Sequence, residues 1–272
     1  MNVQPRRLVL LGHPVSHSLS PVFQNAALRS AGLSIRYEAL DVEPDVLRQT
    51  LRALADERAA GNVTIPHKEA AAAECDRLTS LAQRVGAVNT FWMDERDALI
   101  GDNTDVAGFA HLAAAVLGEP PGDLRVTVLG AGGAAAAVLT AVEHWPDCHV
   151  TLAGRNSERL RHLADRYPLV QVTCRDVVRS VRDAQVVVNA TPVGQSDELL
   201  PAPVEALAPN AVVLDLVCRK GETAWVREAR RMGHRASGGL PMLVEQGALA
   251  FERWLGIPAP RAVMWRAACE AS

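Results

Sequence analysis

Short apolar runs alternate with stretches of helical periodicity along the chain, the order that produces sheets of parallel strands covered by helices. In the first part this pattern predicts strands at residues 8–11, 35–40 and 62–65, with helices at 21–31 and 44–58. A helical run follows near 67–73. The apolar segments 88–92 and 98–100 flank the polar turn Asp94-Glu95-Arg96-Asp97 and predict a hairpin, hence a mixed sheet. A helix over 104–117 then meets Gly118-Glu119-Pro120-Pro121-Gly122-Asp123, the strongest breaker cluster in the chain. Beyond it, apolar runs at 126–129, 150–152, 186–188 and 212–216 predict a second α/β unit. Helices at 243–255 and 262–271 fit either unit by pattern and are expected to return to the first.

At 272 residues the chain exceeds the usual size of a single core, so two modest domains are expected. Hydrophobic residues make up 49% and charged residues 22%, which excludes a disordered chain. A net charge of −3 argues against nucleic acid as the main partner. The apolar stretch at 8–11 is too short for a signal peptide, and no run approaches the roughly 20 apolar residues of a membrane span. Cys75, Cys148, Cys174, Cys218 and Cys269 are odd in number and scattered, as expected of free thiols in a reducing cytoplasm. His13 and His17 are four apart, but Pro14 lies between them and no Cys or carboxylate completes a ligand set. No metal is expected.

The candidate chemistry begins at Val126-Thr127-Val128-Leu129, a strand-type run followed by Gly130-Ala131-Gly132-Gly133-Ala134-Ala135. Gly130 permits a tight turn, Gly132 lets the backbone approach a pyrophosphate, and Ala135 allows close packing of helix on strand. The helix N-terminus would supply N–H donors to the phosphates. A second strand at 150–152 ends about where the ribose contact of a dinucleotide fold should fall, roughly 20 residues on. There the chain has Gly154-Arg155-Asn156 and no carboxylate until Glu158. A guanidinium suits a 2′-phosphate, so NADP is favoured over NAD. Arg159, four residues after Arg155, is expected on the same side of the next helix.

The first unit offers a polar edge. Ser20 before Pro21 reads as an N-cap followed by a good first helical residue, while Ser18 has no such explanation. Two hydroxyls beside a helix N-terminus also suit a substrate carboxylate. Asn62-Val63-Thr64-Ile65-Pro66-His67-Lys68 places Thr64 and Lys68 where a buried strand leaves its sheet, the usual ligand edge. Ala87-Val88-Asn89-Thr90 and Gly101-Asp102-Asn103-Thr104-Asp105 end in the same polar way.

Taken in order, HSxSP, NVTxPxK, GAVNT, GDNTD, GAGGA, NATPxG and MLVxQGALAFxxW resemble the shikimate dehydrogenase family over nearly the whole chain. The resemblance implies NADP-dependent interconversion of 3-dehydroshikimate and shikimate. It also implies a substrate domain built from residues 1–105 and 243–272 and an NADP-binding Rossmann domain at 106–242, with a cleft between them. Lys68 and Asp105 would be the catalytic pair, joined around the substrate by Ser18, Ser20, Thr64, Asn89 and Gln246. The serines would hold the carboxylate. On the cofactor side the family positions are Gly130, Ala131, Gly132, Gly133, Ala134, Gly154, Arg155, Asn156, Arg159, Leu216 and Gly239.

Some positions depart from the family pattern. Gln24 replaces a common histidine, Cys218 a substrate-contacting tyrosine, and Ala136 a common basic residue, while Gly154 and Asn156 flank Arg155 in place of Asn and Thr. Losing the phenolic hydroxyl removes an interaction worth about 1 kcal/mol. A quinate or aminoshikimate dehydrogenase would share every motif, although retention of Ser18 leans toward shikimate. A non-catalytic NADP-binding regulator on the same fold is the reading of another class, against which both Lys68 and Asp105 stand. A small-molecule substrate, no nucleic acid, no membrane and a monomer or homodimer are expected.

Overall fold

A computed structural model describes residues 4–119, 122–168, 170–173 and 177–272; Cys174 and the Pro120-Pro121 pair of the breaker cluster lie outside the described residues. The chain divides into two compact units, Met1–Gly108 with Leu243–Ser272, and Phe109–Met242.

The first unit contains β1 (Arg7–Gly12), α1 (Ser20–Ser30), β2 (Tyr37–Asp41), a 3₁₀ turn at Pro44–Val46, α2 (Leu47–Asp56) and β3 (Ala59–Val63). These are followed by α3 (Lys68–Glu74), β4 (Arg77–Leu78), α4 (Ser80–Val85), β5 (Thr90–Met93) and β6 (Leu99–Asp102). The six strands lie in the order β2-β1-β3-β5-β6-β4. β5 runs against the others, antiparallel to both β3 and β6. The predicted hairpin therefore exists. Asp94 closes it, accepting from the N–H groups of Arg96 and Ala98 at 2.9 Å each, and Asp97 takes a left-handed φ of 56°.

Two expectations shift here. β3 spans Ala59–Val63 rather than 62–65: these residues pair with Arg7–Leu11, where a Cβ on Gly61 would lie 2.1 Å from the Val9 carbonyl oxygen, and the chain turns away at Thr64, whose carbonyl accepts from the His67 N–H. The expected helix at 44–58 is a 3₁₀ turn followed by α2, whose Leu47, Leu51 and Leu54 form the buried face at helical spacing. The core joins Val9, Leu11, Leu51, Val63, Phe91 and Leu99 between these elements.

α5 (Asp105–Leu117) opens in the first unit and leads into the second. There follow β7 (Arg125–Leu129), α6 (Gly133–Val142), β8 (His149–Ala153), α7 (Ser157–Ala164), β9 (Val170–Thr173), α8 (Val177–Arg182) and β10 (Val186–Asn189). A 3₁₀ turn at Val204–Ala206, β11 (Val212–Asp215), α9 (Ala224–Arg231) and β12 (Ala236–Ser237) complete this unit. Its sheet has the order β12-β11-β10-β7-β8-β9 with every pair parallel. This is the doubly wound arrangement in which strand order reverses beside the first strand, here between β7 and β10.

α10 (Leu240–Leu255) and α11 (Arg261–Ala271) end the chain. α11 packs along α1, and Trp254 of α10 stacks on Tyr37 with ring centroids 5.9 Å apart. Among the described residues no helix is long and apolar enough to cross a membrane.

Candidate active site

The candidate catalytic groups lie where strands of the first sheet end. β3 leaves the sheet after Val63, and a turn closed by the His67 N–H on the Thr64 carbonyl (2.9 Å) delivers Lys68 as the first residue of α3. β6 ends at Asp102, where Asn103 makes a side-chain turn: its Oδ1 accepts from the Asp105 N–H at 3.1 Å and its Nδ2 donates to the Ala87 carbonyl at 2.9 Å. Asp105 thus opens α5. Because β5 is reversed, its entry residue Asn89 stands at the edge where β3 and β6 exit.

These three ends meet. Lys68 Nζ donates to Asp105 Oδ2 at 2.5 Å, with side chains only 16% and 5% exposed. Asp105 Oδ1 accepts from Asn89 Nδ2 at 2.9 Å. The same Nδ2 lies 2.9 Å from Thr104 Oγ1 and 3.1 Å from Gln246 Oε1, while Asn89 Oδ1 accepts from the Thr104 N–H at 2.8 Å. Gln246 in turn donates to the Leu243 carbonyl at 2.7 Å. An ammonium and a carboxylate so enclosed hold each other in one geometry, with the remaining carboxylate oxygen also satisfied.

Lys68, Asp105, Asn89 and Gln246 therefore form one hydrogen-bonded cluster. Ser18, Ser20 and Thr64 follow the same ends of β1 and β3, and among the described residues none has a hydrogen bond to that cluster. The capping expectation for Ser20 does not hold. α1 begins at Ser20 itself with Leu19 at the cap position and no side-chain cap bond, whereas Ser18 Oγ accepts from the Ser20 N–H at 3.2 Å. The short link from β1 to α1 leaves Ser20 inside the first turn, and Ser18 serves the backbone while keeping its own proton free to donate.

Thr104 and Asn103 belong to the cluster's framework, although in the sequence they stand out only as parts of a motif. A local signal for Asn103 exists: Asn before a helix start is a turn-forming residue. Asn62, whose Nδ2 donates to the Asn89 carbonyl at 3.0 Å, likewise stands in the sequence only as the first residue of a motif.

In the second unit the glycine turn follows β7. Gly130 has φ 116°, and a Cβ there would sit 2.9 Å from the Ala190 carbonyl oxygen at the end of β10. Gly132 differs. It caps α6 in an extended conformation open to any residue (φ −104°, ψ −172°), and a Cβ on it would meet nothing within 4 Å. The protein's own packing gives no reason for glycine there, so the open space at the helix N-terminus fits an approaching phosphate.

After β8, Arg155 is exposed and has no ionic partner among the described residues, so its guanidinium is available to an anion. Asn156 caps α7, its Oδ1 accepting from the N–H groups of Glu158 (3.1 Å) and Arg159 (3.0 Å). Arg155 precedes this cap, so it does not share a helix face with Arg159 as expected.

Leu216 follows β11, and Gly239 packs so closely on it that a Cβ would lie 2.6 Å from the Leu216 carbonyl oxygen. The buried Asp215 joins this loop to its neighbour, accepting from Asn189 Nδ2 at 2.9 Å, the Val217 N–H at 3.1 Å and Thr223 Oγ1 at 2.6 Å. Burial raises its carboxyl above the usual range, and those three donors oppose the shift. Cys218, half-buried in the same loop, has its thiol pushed up to about 12 by burial, with the Asp215 charge adding, which disfavours the thiolate. Among the described residues no group of three or more His, Cys, Asp or Glu is placed to hold a metal; His13 Nδ1 faces Asp41 Oδ1 at 2.8 Å.

Residues 10–91 match the family described as the shikimate dehydrogenase substrate binding domain, and residues 239–269 match the shikimate 5′-dehydrogenase C-terminal domain. Residues 125–218 match the family described as NADP oxidoreductase, coenzyme F420-dependent. The shikimate dehydrogenase (NADP(+)) of Methanopyrus kandleri is 39% identical, covering 96% of this chain and 94% of the relative. The shikimate 5-dehydrogenase of Thermus thermophilus, solved with NADP(H) and shikimate, superposes with a TM-score of 0.86 at 38% identity, covering 98% of this chain and 99% of that one. The quinate dehydrogenase of Corynebacterium glutamicum, solved with NAD, gives a TM-score of 0.87 at 26% identity over 98% of this chain and 99% of that one. With such identity to a curated relative along almost its full length, and two α/β units of the matching architecture, the chain belongs to the shikimate dehydrogenase family.

Proposed function

We propose that the protein interconverts 3-dehydroshikimate and shikimate with NADP, in the route to chorismate and the aromatic amino acids. The observation that carries this reading is the enclosed Lys68–Asp105 pair, held at 2.5 Å beside Asn89 and Gln246. When bound, NADPH supplies the hydride, and NADP⁺ accepts it in the reverse direction. Lys68 Nζ gives a proton to the carbonyl oxygen during reduction and takes it from the hydroxyl during oxidation. Asp105 orients the amine through Oδ2, and Asn89 fixes the carboxylate through Oδ1.

Ser18 and Ser20 supply hydroxyl donors for the substrate carboxylate, while Thr64, Asn89 and Gln246 line the side that takes its ring hydroxyls. Residues 1–105 with 243–272 make the substrate domain, and 106–242 the cofactor domain. There the turn Gly130, Ala131, Gly132, Gly133 and Ala134 would hold the pyrophosphate on the α6 N-terminus. Arg155, with Gly154, Asn156 and Arg159, would hold the ribose 2′-phosphate, and Leu216 and Gly239 would face the nicotinamide end.

The test is an absorbance assay of NADP reduction with shikimate and with quinate, repeated with NAD. Turnover with shikimate and NADP is expected; turnover with neither acid under either cofactor would refute the enzyme reading in favour of a regulator. The Arg155→Ala variant is expected to raise KM for NADP on the order of 10-fold, as for loss of a charge-assisted bond of about 1.5 kcal/mol or more, and to leave KM for NAD unchanged. Equal KM shifts for the two cofactors would exclude a 2′-phosphate contact.

A further inference from the structure

Behind the catalytic cluster lies a second set of buried polar groups that the reaction does not touch. Asn62 sits in the middle of the first sheet, 4% exposed, on a strand otherwise made of Ala, Gly and Val. Asparagine is disfavoured in strands, and burying an amide costs free energy unless it is hydrogen-bonded. Here it is bonded at both ends. Oδ1 accepts from the Tyr37 hydroxyl at 2.8 Å, and Nδ2 donates to the Asn89 carbonyl at 3.0 Å. The same carbonyl also accepts from the Val63 N–H at 2.8 Å, and the Asn89 N–H donates to the Asp102 carbonyl at 3.1 Å.

Tyr37 is itself fixed. It is 2% exposed and stacks on Trp254, whose Nε1 donates to Thr90 Oγ1 at 2.9 Å; that hydroxyl donates to the Gly61 carbonyl at 3.0 Å. Thr90 is the residue after Asn89. Asn89 is therefore held at its carbonyl by Asn62 and through its neighbour by Trp254. An apolar residue at 62 would leave the buried Tyr37 hydroxyl without its partner, so the amide contributes stability as well as a fixed position.

We propose that Asn62, oriented by Tyr37, is a positioning residue that sets the Asn89 carboxamide and through it the Lys68–Asp105 pair. This rests on the assignment of that pair to the proton-transfer step. The hydroxyl of Tyr37 and the amide of Asn62 touch neither reacting group, and their effect reaches the chemistry only by moving Asn89.

The test uses Tyr37→Phe, Asn62→Leu and Asn62→Asp in the full chain. Asn62→Leu is expected to lower kcat for shikimate by at least tenfold and Tyr37→Phe several-fold, both with KM for NADP unchanged. Adding Tyr37→Phe to Asn62→Leu should cause no further loss, since the hydroxyl then has no amide to orient. Asn62→Asp cannot donate to the Asn89 carbonyl while ionised but can when protonated, so its kcat relative to wild type should rise as pH falls. A purely structural role would not produce that profile.

A readout independent of turnover is the Asn89 side-chain amide resonance, which should move in both Tyr37→Phe and Asn62→Leu. An unmoved resonance overturns the proposal whatever the substrate proves to be. So do kcat values within twofold of wild type, or equal losses in shikimate and NADP kinetics. If Asn62→Leu does not fold, Tyr37→Phe, which removes a single oxygen, carries the same outcomes. Wild-type inactivity toward shikimate would count against the functional reading alone, because the resonance test would still stand.

Discussion

Replacing Lys68 by methionine is expected to lower kcat by roughly 10²- to 10⁴-fold, the contribution typical of a positioned proton donor. Methionine keeps the length and apolar stem of lysine, so the loss reports the missing amine. NADP affinity, measured by titration calorimetry, should stay at the wild-type value because the proposed cofactor contacts lie in the other unit. The same variant leaves the Asp105 carboxylate, 5% exposed, without its cation. Breaking a buried pair on one side costs about 3–5 kcal/mol, whereas removing both charges is often neutral. Lys68→Met/Asp105→Asn should therefore recover most of the stability in urea denaturation and none of the turnover. A Lys68→Met enzyme within tenfold of wild-type kcat would remove Lys68 from the proton-transfer role.

Gly132→Val is expected to weaken NADP binding on the order of 100-fold, about 2.7 kcal/mol, while the fold is preserved. The backbone at 132 is extended, and an added side chain enters open space, so only the modest capping preference for glycine over valine, about 1 kcal/mol, is lost. Gly130→Val makes the contrast. There φ is 116° and the Ala190 carbonyl blocks the side chain, so stability and binding should fall together. Wild-type NADP affinity in Gly132→Val would mean that the phosphates lie elsewhere.

The contrast between these two glycines marks what a sequence can disclose. The turn was legible because strand, glycines and helix are contiguous, and Gly130 has a local reason in its φ of 116° and the nearby Ala190 carbonyl. The hairpin was legible for the same reason, since Asp94 supplies its turn bonds from within four residues and Asp97 its left-handed φ. β4, with only Arg77 and Leu78, is too short to produce a pattern, and its pairing with β6 is set by the sheet. β3 was displaced because its bounds follow from pairing with Arg7–Leu11 and from the turn at Thr64, neither of which is local to the apolar pattern.

At the site, Lys68, Asp105, Asn89 and Gln246 came from motifs, but their bonds span up to 157 positions and no local rule supplies them. Asn62 stood in a quoted motif without a role of its own, and Tyr37 went unseen; their meaning lies in a contact between strands 25 residues apart. Ser20 is no cap because the helix begins at it, and the Ser18 hydroxyl accepts from the backbone there instead.

The discontinuity of the first unit bears on how the protein is made. Its sheet is complete by residue 102, yet Gln246, Trp254 and the helix that covers α1 belong to the last 30 residues. The second unit is one unbroken stretch, Phe109–Met242, with every strand of its own sheet. As the polypeptide leaves the ribosome, the later-encoded unit has all its parts first, while the earlier one waits with Tyr37 and α1 uncovered. Removal of residues 243–272 would therefore be felt far back in the sequence, by a sheet left without its covering helices.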